Sequence, residues 1–203
     1  MGQTYLESCA RRTVSFAAGE LVVTNGIKTS FATSTSPQSL GAADYNGAAV
    51  ANAGTNWAKL PRQVTISRSS SAASYTTTDI VLTGKVNGES VTENLTPANA
   101  NGGDTLASSY VWDLPPAIAI PAQANASGAF TIGVRDIGHM ATSEALMGAK
   151  LHANGTLNID FGDGQTDAIP CLADVREHIR IPRILTSSAL SSPTTVGLTV
   201  YAL

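Results

Sequence analysis

The side chains of this chain that could do chemistry are few and scattered. Histidine occurs three times, at His139, His152 and His178. None stands four residues from a second ligand on a helical face, a spacing from which metalloenzymes build zinc sites. Asp160, Asp163 and Asp167 in "DFGDGQTD" suggest a cation loop. That segment lacks the alternating acids and closing glutamate that wrap a calcium ion, so a hairpin turn is expected instead. "NGGD" at 101–104 is followed by neither a lysine nor a helix, both of which a phosphate cradle uses, and reads as a turn. No Gly-x-Ser-x-Gly elbow presents a nucleophile. Glycoside hydrolysis needs two carboxylates across an aromatic-lined cleft. Here aromatics make up only 5% of residues and the acids fall in turns. No catalytic residue, metal or cofactor is expected.

One carboxylate is oddly placed. In "DIVLTGKVNGESVTENLTP", two runs rich in β-branched residues flank Asn87-Gly88, the strongest short hairpin signal. A two-residue loop there sets Val86 against Glu89, Gly84 against Val91, Leu82 against Glu93 and Ile80 against Leu95. One face carries Ile80, Leu82, Val86, Val91 and Leu95, with Glu93 among them; the other carries Val81, Thr83, Lys85, Ser90, Thr92 and Asn94. A charge on an apolar strand face must be paired or solvated, because burying it alone costs several kcal/mol. Arg62, Arg68, Arg135 or a backbone N–H are the expected partners of Glu93, at a sheet or subunit junction. Its presence also discourages wrong strand pairing.

The elements around this hairpin are short strands. The chain has 203 residues, 43% hydrophobic but only 13% charged, about half the usual 25%. Thr, Ser, Ala, Asn and Gly replace the charges, as suits a β-protein covered by small polar side chains or by neighbouring subunits. A net charge of −3 without a basic run argues against nucleic acid as a partner. No apolar run approaches the roughly 18 residues that span a bilayer, and "MGQTYLESCARR" lacks a secretory h-region. The sequons at Asn94, Asn125 and Asn154 are therefore expected to stay unmodified. Cys9 and Cys171 carry no metal-type spacing, and a reduced chain is expected, with pairing between the two left open.

The expected fold class is all-β: a β-sandwich or barrel-like first domain followed by a small antiparallel β module. Residues 1–15 form an N-terminal arm, with a short helix in "TYLESCARR". The first domain spans 16–140, with strands in "ELVVTNGIKTSFA" (turning at Asn25-Gly26), "RQVTISRSS", the hairpin, "TLASSYVWDL" and "GAFTIGVRDI". A Gly/Ala/Asn-rich surface excursion occupies 33–61, with a helical turn near residues 42–45. "ATSEALMGAKL", 141–151, is capped like a short helix and is expected to connect the units. Residues 152–203 supply four further strands.

The stretch Arg62 to Asp136, with "LPRQVTISRSS", the hairpin, "NGGDTL", "YVWDLPPAIAIP" and "FTIGVRD", resembles structural proteins of tailed bacteriophages. From Leu157 on, a glycine-bearing turn, "IRIPRIL", a Thr/Ser loop and "VYAL" are similar to the module of head spike-base proteins of phages and gene transfer agents. Together these cover roughly 60% of the chain. The resemblance implies a non-enzymatic virion protein, a multimeric capsid decoration or head spike-base protein assembled in the bacterial cytoplasm. Its implied partners are further copies of itself (a trimer favoured) and a major capsid or spike/fibre protein, with neither nucleic acid nor membrane. Interface candidates are Glu93, Tyr45 and Trp57 in the excursion, and Arg11 and Arg12 in the arm. Two other classes remain: a tail or baseplate receptor-binding module using Tyr45, Trp57, Tyr75, Tyr110 and Trp112 as a glycan platform, and a virion-borne hydrolase.

Overall fold

A computed structural model describes residues 12–16, 23–47, 61–71, 73–138, 146–151, 155–160, 166–174, 183–184 and 198–202. Its elements are almost all strands: β1 (Arg12–Phe16), β2 (Val23–Ala32), β3 (Gln38–Leu40), β4 (Arg62–Arg68), β5 (Ile80–Val86), β6 (Glu89–Leu95) and β7 (Thr105–Trp112). There follow β8 (Ala117–Ile120), β9 (Ala129–Gly138), β10 (Leu146–Leu151), β11 (Gly155–Asp160), β12 (Thr166–Cys171), β13 (Arg183–Ile184) and β14 (Leu198–Ala202). A 3₁₀ turn, Ala42–Asp44, lies where a helical turn was expected. The chain is all-β, as its turn density predicts.

Two sheets face each other as a sandwich. One, seven-stranded, runs β12-β11-β13-β9-β4-β7, with β2 also paired to β9; the other runs β3-β8-β5-β6. Ile27, Val64, Ile66, Trp112, Phe130, Ile132 and Val134 from the first meet Leu40, Ile80, Leu82, Leu95, Ile118 and Ile120 from the second. Each such burial contributes about 1.5–3 kcal/mol. Tyr75 plugs one end edge-on to Phe130, 5.4 Å between ring centres, and its hydroxyl donates to the Ala129 carbonyl at 2.8 Å.

The hairpin forms in the register its sequence dictates: Ile80 opposes Leu95, Leu82 opposes Glu93, Gly84 opposes Val91 and Val86 opposes Glu89. Asn87 and Gly88 both take positive φ, 52° and 82°, the conformation of a type I′ turn. The carboxylate of Asp113 accepts both turn N–H groups, Asn87 at 3.0 Å and Gly88 at 2.8 Å.

Elsewhere tertiary pairing overrides local signals. Asn25-Gly26 makes no hairpin turn, because β2 runs on through it as a wide bulge: Val23 opposes Val134, yet Lys28 opposes Ile132. The bulge presses on β9 at Gly133, where a Cβ would stand 2.4 Å from the Val23 carbonyl oxygen. Part of the 33–61 excursion is sheet, since β3 pairs with β8. Residues 146–151 are β10, not the expected helix. Six residues weakened by Gly148 gain more by laddering with β14, with an irregularity between Leu146 and Gly148. Residues 12–15 of the expected arm, together with Phe16, pair as β1 with β14, from Arg12 opposite Ala202 to Phe16 opposite Leu198.

β14 thus lies between β1 and β10 in a third, three-stranded sheet. The last strands do not close on themselves as a four-strand module. β13 joins β9, with Arg183 opposite Gly138, and carries β11 and β12 into the large sheet. Pairing therefore crosses the boundary expected near residues 141–151.

Candidate functional site

Among the described residues, six of the ten buried polar side chains (Arg62, Gln63, Thr65, Arg68, Glu93 and Ser108) lie on β4, β6 and β7. β7 carries a bulge of its own. Gln63 opposes Val111 and Thr65 opposes Ala107, so Ser108, Ser109 and Tyr110 face only Val64. Side chains replace the interrupted ladder. Ser108 Oγ accepts the Val64 N–H at 3.1 Å and donates to the Tyr110 carbonyl at 2.8 Å. Gln63 Nε2 donates to the Ser108 carbonyl at 2.5 Å.

Glu93 reaches this bulge from the opposite sheet. Its Oε1 accepts the Ser109 N–H at 2.5 Å. The Ser108 carbonyl and the Ser109 N–H belong to one peptide unit and, in a trans peptide, point in opposite directions. Gln63 and Glu93 therefore clamp that unit from its two sides, and the carboxylate polarises the chain of bonds through it. Glu93 is 9% exposed, and its second oxygen is buried without a hydrogen-bond partner, as is Gln63 Oε1. The expected carboxylate partner is thus found among backbone donors. Arg68 pairs instead with Asp104 through two bonds of 2.7 Å and stacks 4.9 Å over Tyr75. Those bonds hold the Asp104 carboxyl below the usual carboxylate range. Arg62 donates from Nε to the Arg135 carbonyl at 3.1 Å.

The other sequence-derived candidates do not gather round Glu93. Tyr45 is buried in the core, where an exposed contact residue was expected. Its hydroxyl donates to the Pro116 carbonyl, and burial, with Asp44 beside it, pushes the phenol above its ordinary value. The hydrophobic core takes up a ring that the sequence placed in an open excursion. Trp57 and Arg11 lie outside the described residues, as do Cys9 and the three histidines; Arg12 stands at the start of β1. Cys171 is buried on β12 and donates weakly to the Ile169 carbonyl. Asp167 is exposed on β12, opposite Ile159, and its carboxylate accepts the Ala168 N–H, while Asp163 lies outside the described residues.

The aromatic platform is not assembled from the described residues. Tyr75 and Trp112 are buried along with Tyr45, which leaves Tyr110, 42% exposed, packed edge-on against Trp112. Reading the sequence alone missed Ser108 and Gln63. The signal available was weak: "ASSY" interrupts the apolar alternation of β7, as a bulge does. "NGGD" is a turn, with positive φ at Gly102 and Gly103. Comparison with protein-family models, curated proteins and solved structures returns no match to this chain.

Proposed function

We propose that the chain is a non-enzymatic structural protein of a bacteriophage particle, a multimeric capsid decoration or head spike-base protein that stabilises the shell or anchors a fibre. The observation that carries this reading is where the buried polar groups go. Arg68, Glu93, Gln63, Ser108, Tyr45 and Tyr75 bond to backbone or side chains of neighbouring segments. Chemistry that serves cohesion suits a shell component. The segment that resembles phage structural proteins coincides with β4–β9, and the one that resembles head spike-base modules with β11–β14, so the resemblance follows the framework itself. A surface poor in charge suits burial against other copies, a trimer favoured, and against a capsid or spike protein.

The test is immunogold labelling of phage particles with antibody raised against the purified chain. Label on heads is expected. Label on tails or baseplates favours the receptor-binding reading instead. Unlabelled particles, together with clearing of peptidoglycan or capsular polysaccharide in a zymogram, overturn the proposal.

A further inference from the structure

The outer face of the four-stranded sheet carries a self-complementary charge pattern. Along β5 and the residue before it, every second side chain points away from the core: Asp79, Val81, Thr83 and Lys85. The neighbouring rows are small. Ser39 and Ala119 lie level with Val81, and Ala117 with Thr83. Asn94, Thr92 and Ser90 of β6 continue the face on the other side. All six of these small residues are exposed, and none is large enough to hold another sheet away. Asp79 stands at one end of the β5 row and Lys85 at the other.

The Asp79 end opens into a groove of about 280 Å³. Its walls include Pro37, Ile120, Pro121 and Val81, and Asp79 supplies its one charge. Gln38 also lines it, with a buried Oε1 that has no hydrogen-bond partner. Asp79 Oδ1 accepts from Thr96 Oγ1 at 2.7 Å, which fixes the carboxylate at the rim. Apolar walls ending in a carboxylate are what an extended lysine fits: the methylenes lie on the walls and the ammonium reaches the anion.

We infer that this face is a twofold contact between copies of the chain, with Lys85 of each copy lying in the groove of the other against Asp79. The sum of positions fixes the geometry. An axis passing at the level of Leu82 sets 79 against 85 and 81 against 83, so both ends pair at once, as an isologous contact requires. Two strands of seven residues and two of three and four, about 4.8 Å apart, make a patch of modest size. The association is therefore weak and reversible. It is independent of the phage reading, and a trimeric assembly would use it to pair with a second trimer.

The test uses charge reversal in the full chain, with mass followed by sedimentation equilibrium up to about 500 µM. Lys85→Glu and Asp79→Lys should each weaken self-association roughly tenfold or more, since each opposes like charges at two symmetric sites. Mixing the two variants restores complementary charges at both sites, and a mixed species should form with near-wild-type affinity. Thr83→Arg, at the middle of the seam, should abolish association without lowering the melting temperature. Raising salt to 1 M should weaken the wild-type contact. Self-association of either single variant at wild-type strength overturns the inference. So does a mixture no more associated than its components, or a wild-type chain whose smallest unit shows no concentration dependence. Immunogold labelling of particles is unaffected by any of these outcomes.

Discussion

Glu93 gives the sharpest test of how this sandwich is held. Its Oε1 accepts the bulge N–H of Ser109 at 2.5 Å from a position only 9% exposed. Hydrogen bonds to a charged group contribute about 1.5–3 kcal/mol. Glu93→Gln keeps an acceptor but loses the charge, and sets an amide NH₂ where a partnerless oxygen stood; a loss of about 2 kcal/mol is expected. Glu93→Leu removes the acceptor, at a cost of up to about 3 kcal/mol. Relief of the buried carboxylate and the apolar contact of leucine return part of that, leaving a net loss of about 1–2 kcal/mol. At roughly 2–4 °C per kcal/mol for a chain of this size, both variants should melt about 2–8 °C lower. Because Gln63 holds the other side of the same peptide unit, Gln63→Met and Glu93→Gln should be non-additive by at least about 0.5 kcal/mol in a urea-unfolding cycle. Wild-type stability in Glu93→Leu, or an additive cycle, would show that the bulge needs no clamp.

Three further outcomes follow from the same framework. Asp113→Ala removes both acceptors from the Asn87-Gly88 turn and should cost about 1–2 kcal/mol in urea unfolding, with little change in the slope against urea. Gly88→Ala meets open space and should lose about 1 kcal/mol to its positive φ, whereas Gly102→Ala would set a Cβ 2.2 Å from the Ser69 carbonyl oxygen and should fail to fold at 37 °C. Arg68's bonds depress the Asp104 carboxyl, so the pair's contribution is fully present above about pH 4, the unfolded value, and is lost as pH falls through the lower folded value. Asp104→Asn should cost about 2 kcal/mol at pH 7, less than the 3–5 of a fully buried pair because Asp104 reaches water, and should flatten the acid limb of a stability-against-pH curve.

The parts of the fold that could be read in advance are those fixed by neighbours in sequence. Asn87-Gly88 demands two positive φ angles, and once it is placed the period of two assigns every side chain from Ile80 to Leu95 to a face. The same logic misled at Asn25-Gly26, where an identical pair is absorbed into β2 because β9 offers a longer ladder. "ATSEALMGAKL" has helix caps, but only the distant β14 decides that residues 146–151 extend. Tyr45 sits in a stretch without periodicity, and its burial depends on a carbonyl 71 positions away. Glu93 was legible as a carboxylate in need of an arginine or a backbone N–H; which of these meets it was not. Its partner is a backbone group freed by an irregularity in another strand, and no residue type announces that.

The pairing of β1 with β14 also sets a clock. Ser15 opposes Thr199, 184 positions later in the chain. At ribosomal rates of about 5–20 residues per second, β1 waits roughly 10–40 s for its partner, and β10 waits for the same strand. The hairpin and both faces of the sandwich can be in place well before then. The three-stranded sheet closes only when the last strand is synthesised, and loop closure over such a distance makes it a late step in folding. A chain cut short before residue 198 leaves both neighbours of β14 with open edges, so interrupted synthesis is written into the product as two unsatisfied strands.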